Sequence, residues 1–198
     1  MKHILISDDS FFLNGAKALL LESDIAFETI NLNEKNARTL TRTLCRGDVV
    51  LIAVDNIYYR RELVNIASSI SCRVVFAPAF HHIQPVEKEL PWIVPRHVEP
   101  GYFIKLMRKL SDESMSQQSR LYDYFKVMDY FCESHKNFGH HYIKHTSIKR
   151  LSQKKRLILK KYNLDSSNSQ GELLCRDVLL LKKKHQEKKH LKNLICGN

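Results

Sequence analysis

The chain has 198 residues, of which 43% are hydrophobic, so it can bury the core of one large domain or two small ones. Its 32 basic residues outnumber its 21 acidic ones, and the net charge of +11 indicates a polyanionic partner. The longest uninterrupted apolar run, residues 49–54, is too short to span a bilayer, and the N-terminus lacks the pattern of a signal peptide. The composition therefore favours a cytoplasmic protein that does not enter a membrane.

The cysteines and glycines give no indication of an enzyme. The five cysteines form no CxxC pair, which fits reduced thiols, and no GxGxxG or GxxxxGK motif accompanies the six glycines. An alternative is a zinc site, because Cys132, His135, His141 and His145 have a spacing that zinc can accept. Histidines beside phosphates are the simpler explanation of this cluster. We therefore expect no catalytic residues and no structural zinc.

Apolar runs alternate with helical patterns over the first 110 residues. The predicted strands cover residues 3–7, 26–31, 49–54, 73–77 and 92–94, and the predicted helices cover residues 12–20, 34–44, 61–70 and 101–110. The third strand is an uninterrupted apolar run, as expected of a strand buried on both faces of a parallel sheet. The pattern predicts an α/β domain with a doubly wound parallel sheet over residues 1–110.

Acidic side chains follow two of these strands. Asp8 and Asp9 follow the first, and Asp55 follows the third, so all three are expected at the carboxyl edge of the sheet. Carboxylates in such a group can hold Mg²⁺ through oxygen ligands, with one carboxylate open to phosphoryl transfer. The alternative is that all three are simply solvated strand ends.

This half resembles the receiver domain of two-component response regulators. That family has an acidic pair after the first strand, which Asp8 and Asp9 match, and a phospho-accepting Asp after the third strand, which Asp55 matches. A register two residues earlier would place Ala53 at the acceptor position instead. The resemblance implies the same doubly wound fold and a magnesium-binding acidic site.

Two further positions of the receiver pattern differ in this chain. The family has a Thr or Ser after the fourth strand, where this sequence has Ala77, and a Lys after the fifth, where it has Pro95 with Arg96 beside it. With neither group present, nothing obvious neutralises or reads out a phosphoryl group on Asp55. We expect a degenerate receiver that works through dimerisation or partner docking, independently of phosphorylation.

Most of the positive charge lies in the second half. Residues 1–110 carry 14 basic against 12 acidic residues, whereas residues 111–198 carry 18 against 9. The polar segment 111–119 is the predicted linker, and helical patterns follow it at residues 121–131, 138–143, 147–164 and 169–181. This order predicts an all-α helix-turn-helix domain over residues 120–181. The basic tail, residues 182–198, could extend the last helix, touch DNA or stay disordered.

The most basic stretch is residues 147–164. Seven of the thirteen residues from Lys149 to Lys161 are Lys or Arg, and Ser147 stands at the N-cap position. Helical spacing predicts that its apolar residues, Leu151, Ile158 and Tyr162, face inward. The alternative is a solvated basic helix without a partner.

This stretch resembles the third helix of the LuxR/NarL-type DNA-binding domain that usually follows a receiver. The matching residues are Ser147, Lys149, Ser152, Lys155, Ile158, Lys161 and Leu164. The resemblance implies that the helix enters the major groove of promoter DNA. Base contacts are then expected from Ser152, Gln153 and Arg156. Phosphate contacts are expected from Lys149, Arg150, Lys154, Lys155 and Lys160.

The resemblance implies a transcriptional regulator that binds DNA as a dimer, because the family usually reads paired half-sites. It is similar to accessory LuxR-type regulators that govern fimbriae, capsule or acid resistance. The alternative is a protein that forms a heterodimer with a genuine response regulator and modulates it without reading DNA.

Overall fold

The computed structural model describes residues 1–34, 43–79, 84–87, 90–112, 121–132, 147–165 and 169–196. The chain divides into two compact units, Met1–Ser116 and Gln117–Asn198. Three predictions lie wholly or mostly outside the described residues: the helices at 34–44 and 138–143 and the linker at 111–119.

The first unit contains a sheet of five parallel strands in the order β2-β1-β3-β4-β5. Their bounds are β1 His3–Ser7, β2 Phe27–Asn31, β3 Val49–Ala53, β4 Arg73–Phe76 and β5 Trp92–Ile93. This order is that of doubly wound folds of the flavodoxin-like kind. The prediction of an α/β unit built on a parallel sheet is therefore confirmed.

In the described ranges of this unit, three helices accompany the sheet: α1 Ser10–Leu21, α2 Ile57–Ile70 and α3 Pro100–Asp112. Every residue of β1 and β3 is buried, as expected of central parallel strands. Apolar residues of α1 and α3 share a core cluster with alternate residues of the strands. The strand residues between them point to the opposite face, and α2 packs against β3 outside that cluster.

Helices α2 and α3 of this unit extend beyond their predicted bounds. The second helix begins at Ile57, four residues before Arg61, because the Asn56 side chain accepts hydrogen bonds from two N–H groups of the first turn. The third continues to Asp112, two residues into the predicted linker. Polar side chains thus extend the helices beyond the limits of the apolar pattern.

The described part of the second unit consists of α4 Leu121–Cys132, α5 Ile148–Lys161 and α6 Ser169–Cys196. The most extensive packing is that of α4 on α6, and α5 contacts both of these helices. Buried apolar side chains line these contacts: Val127, Met128, Leu151, Ile158, Leu174 and Val178. The unit is thus held by a small core shared among three helices.

The last helix is longer than predicted, because it does not end at Leu181 but continues through the basic tail to Cys196. Of the three alternatives for the tail, the helical extension is correct for the residues described. The segment lacks Gly and Pro up to Cys196 and is rich in strong helix formers. Two ammonium groups at its start lie over aromatic rings, Lys182 over Tyr162 at 5.3 Å and Lys183 over Phe125 at 4.7 Å. These contacts fix the beginning of the extension to the helical core.

Of the helices in the described ranges, none has the length and apolar character that crossing a membrane requires.

Candidate nucleic-acid interface and the acidic edge of the sheet

The three aspartates predicted at the carboxyl edge of the sheet do meet there. Asp8 follows β1 directly, and its Oδ2 accepts hydrogen bonds of 3.3 Å from the backbone N–H groups of Asp55 and Asn56. Asp9 caps α1, since its Oδ1 accepts from the N–H groups of Phe11 and Phe12 at 2.9 and 3.1 Å. The loops after β1 and β3 are therefore joined by the Asp8 carboxylate, whereas Asp9 holds the start of α1.

Arg96, which follows β5, is the cation of this edge. Its two terminal nitrogens donate to Asp55 in a bidentate pair, at 2.9 Å to Oδ2 and 3.0 Å to Oδ1. One of them also lies 3.9 Å from Asp9 Oδ2. The Nε donates to the Ala77 carbonyl oxygen at 3.1 Å, and the side chain is only 4% exposed. A fork-on-carboxylate pair of this kind is among the strongest of side-chain hydrogen bonds.

The pairing of Arg96 with the unmodified Asp55 carboxylate was not predicted from the sequence. The receiver pattern places its cation at the position of Pro95, whereas the guanidinium that binds Asp55 belongs to the next residue, Arg96. A signal was present in the sequence, because Arg96 follows a predicted strand and must therefore reach the same edge as Asp55. The reach of a long side chain across a neighbouring strand cannot be read from a one-residue alignment.

The residues of this edge do not fit the Mg²⁺ that the receiver resemblance implies. Both oxygens of Asp55 accept from the Arg96 guanidinium, and one oxygen of Asp9 and one of Asp8 are bound to backbone N–H groups. In the described part of the chain, no group of three or more His, Cys, Asp or Glu side chains could hold a metal ion. The histidines of the alternative zinc site, His135, His141 and His145, lie outside that part.

The second candidate site is α5, whose inward and outward faces lie as the helical spacing predicts. Leu151, Ile158 and Tyr162 are buried, at 1–2% exposure. Gln153 and Arg156 are exposed. The Ser147 hydroxyl accepts a hydrogen bond from a first-turn N–H at 3.4 Å, so the predicted N-cap is present.

Four exposed residues form one stripe along α5: Lys149, Gln153, Arg156 and Lys160. Their spacing of four, three and four residues places them on a single face of the helix. Throughout the described ranges, no hydrogen bond, ion pair or ring contact engages the side chains of the three cations in this stripe. We call these four residues the α5 stripe.

The positive charge of α5 is not explained by helix stability. Lys149 and Arg150 lie in the first turn, where the helix dipole disfavours cations by about 0.3–1 kcal/mol each. The helix contains seven basic residues and no acidic one, so no ion pair within it offsets their repulsion. An external anion at this end of the helix would relieve both costs.

The remaining predicted contact residues differ in their surroundings. Lys155 is engaged within the unit, since its Nζ lies 2.8 Å from Glu172 Oε1 and 4.5 Å from the centre of the Phe131 ring. Lys154 is exposed and lines a groove of about 300 Å³ between α4 and α5, and Ser152 is half-buried. Arg150 is exposed beside the stripe. Lys155 thus differs from the cations of the α5 stripe, which have no carboxylate partner among the described residues.

The fold and these sites define a two-unit protein. A parallel-sheet unit with a neutralised acidic edge precedes a helical unit with an exposed cationic helix. No family model matches the chain, and no curated protein matches it either.

Proposed function

We propose that the protein is a DNA-binding transcriptional regulator that acts without phosphorylation of its parallel-sheet unit. The observation that carries the proposal is the α5 stripe, in which three exposed cations, without partners among the residues that the structure describes, accompany an exposed amide. Cations placed for stability would be expected to meet carboxylates, whereas cations placed for a polyanion must stay uncompensated.

The dimensions of the stripe suit the major groove of DNA. From Lys149 to Lys160 an α-helix rises about 16 Å, which corresponds to about five base-pair steps of 3.4 Å. The central residues, Gln153 and Arg156, carry the donors and acceptors that distinguish adenine and guanine edges. The terminal lysines are placed to contact phosphates and fix the register. Lys154, Arg150 and Ser152 extend the same surface.

The rest of the proposal follows the resemblance to LuxR/NarL-type regulators. Those proteins read paired half-sites as dimers, so we propose a homodimer or a heterodimer with a related regulator on promoter DNA. The genes under control would be those for surface structures such as fimbriae, or for stress resistance. Independence from phosphorylation is supported by the bidentate contact of Arg96 with both oxygens of Asp55.

The test is DNA selection with the full-length protein, followed by binding to the selected and to random duplexes. Arg156→Ala and Gln153→Ala should each reduce the preference for selected over random DNA by about 1–3 kcal/mol if they contact bases well. Lys105→Ala, an exposed cation of α3, is the control for loss of one positive charge and should leave the preference unchanged. Absence of any selected sequence would overturn the proposal.

A second function is favoured by exposed aromatic side chains in the first unit. Phe11 and Tyr58, near the starts of α1 and α2, are 91% and 85% exposed. Large aromatic residues are enriched at protein interfaces, so an accessory protein that binds a response regulator would make use of them. In that case the wild type would bind purified response regulators of the same cell and select no DNA sequence, and a Phe11→Ser, Tyr58→Ser variant would lose the binding to those regulators. Sequence-specific DNA binding by a wild type that binds no response regulator would support the first proposal.

A further inference from the structure

We propose that Arg96 is a tethered cation that takes the place of a divalent metal ion at the acidic edge of the sheet. The native protein binds no divalent cation there, because Asp8, Asp9 and Asp55, as they lie around the guanidinium, form no group that could hold a metal ion. Removal of the guanidinium would let these three carboxylates turn towards a divalent cation. The inference concerns the first unit alone and is independent of DNA binding.

The position of Arg96 resembles that of a bridging ion. In the sheet order β1-β3-β4-β5, the side chain starts after β5 and donates to the Ala77 carbonyl oxygen just beyond β4. It then reaches Asp55 beyond β3 and lies 3.9 Å from Asp9 beyond β1. Four strand ends are thus joined through one guanidinium.

The burial of the guanidinium distinguishes this contact from an ordinary surface ion pair. The Arg96 side chain is 4% exposed, whereas the side chains of Asp55 and Asp9 are 42% and 36% exposed. Surface pairs of this composition contribute little to stability, but a buried arginine left without its carboxylate is costly. The Phe12 ring, 6.0 Å from the guanidinium carbon, adds a further contact. These contacts therefore hold the Arg96 side chain at the acidic edge of the sheet.

A divalent ion would have to compete with all of these contacts. Mg²⁺ needs near-octahedral oxygen ligands at about 2.0–2.1 Å, and both Asp55 oxygens already accept hydrogen bonds from Arg96. Binding would expel a buried guanidinium from its partners and bring two positive groups together. Without Arg96, the same carboxylates would repel one another, and a divalent cation would relieve that repulsion.

The experiment is a Mn²⁺ titration of the nucleic-acid-free, full-length protein, followed by electron paramagnetic resonance of the unbound ion. The variants are Arg96→Met, Arg96→Gln, Asp55→Asn, and Arg96→Met combined with Asp55→Asn. Arg108→Met, at an exposed position of α3, is the control for loss of one charge from the same unit. Fluorescence of Trp92, which is the single tryptophan of the chain and is buried in β5, reports whether the unit of each variant is folded.

We expect no saturable Mn²⁺ site in the wild type or in Arg108→Met. Arg96→Met and Arg96→Gln should each show one saturable site, at a Mn²⁺ concentration at least about tenfold below that at which the wild type retains the ion without saturation, a difference well within the reach of one charge replacement. The added Asp55→Asn should abolish this gain. A saturable site in the wild type that Asp55→Asn removes would overturn the proposal, as would folded Arg96 variants that bind no better than the control.

Discussion

The two units use basic residues in opposite ways. In the first, the Arg96 side chain is 4% exposed and bonded to Asp55 and to a backbone carbonyl oxygen. In the second, α5 exposes cations along one face, and those of the stripe have no partner among the described residues. Whether a basic residue is structural or available to a ligand therefore depends more on the placement of carboxylates than on the number of basic residues. Both uses occur within α5, because Lys155 lies among the residues of the stripe but forms an ion pair with Glu172 of α6.

The largest expected effect is a difference in the free energy of unfolding between substitutions on the buried and the exposed face of α5. Ile158→Ala should destabilise the second unit by about 2–5 kcal/mol, because a fully buried side chain leaves a cavity. Lys160→Ala, two residues along on the exposed face, should change the free energy of unfolding by no more than about 0.5 kcal/mol. Urea unfolding followed by circular dichroism at the helical band measures both. Equal losses from the two substitutions would contradict the assigned faces.

The second prediction is that the second unit loses stability in acid. Both ring nitrogens of His185 are buried, and neither has a hydrogen-bond partner in the described part of the chain. Burial first, and the charge of Lys188 second, lowers the pKa of this histidine to about 4 from its ordinary 6.5. The folded state thus disfavours the charged ring of His185, whereas the unfolded chain accepts the proton below pH 6.5. The stability associated with the neutral ring is therefore fully present above pH 6.5 and is lost as the pH falls towards 4. Its full size is about 3 kcal/mol.

Comparison of the wild type with His185→Leu isolates this contribution from the titration of carboxylates. The free energy of unfolding of the second unit should fall more steeply in the wild type than in the variant between pH 7 and pH 4.5. Parallel pH profiles for the two proteins would show that His185 is not responsible.

The third effect tests whether Arg96 is a structural cation. Arg96→Met should destabilise the first unit by about 1–3 kcal/mol, since it leaves partly buried carboxylates without their donor. Asp55→Asn introduced into that variant should cost less than it does in the wild type, because the uncompensated charge is then absent. Trp92 fluorescence during urea unfolding measures all four proteins of the cycle. Additive losses would mean that the pair at 2.9 Å contributes no coupling.

Much of this architecture was predictable because it depends on local patterns. Alternating apolar runs gave the five strands, and helical spacing gave the inward residues of α5, since both follow from backbone geometry. The Arg96–Asp55 pair was not predicted, because 41 residues separate the partners in the chain and only the strand order brings them together. The extension of α6 past Leu181 was left open because a charged segment without apolar periodicity can be helical or not.

The smallest effect concerns the salt dependence of DNA binding, which should differ between α5 cations with and without a carboxylate partner. Lys149→Ala should reduce the slope of log affinity against log salt by about 0.9 on every duplex, because one fewer counterion is released. Lys155→Ala should leave the slope nearly unchanged, because the amine is already paired with Glu172, and should weaken folding of the second unit instead. Glu172→Gln sharpens the contrast, since it frees the Lys155 amine and should raise the slope slightly. If Lys149→Ala and Lys155→Ala lowered the slope equally, a carboxylate partner would not be what separates structural from ligand-binding cations in this protein.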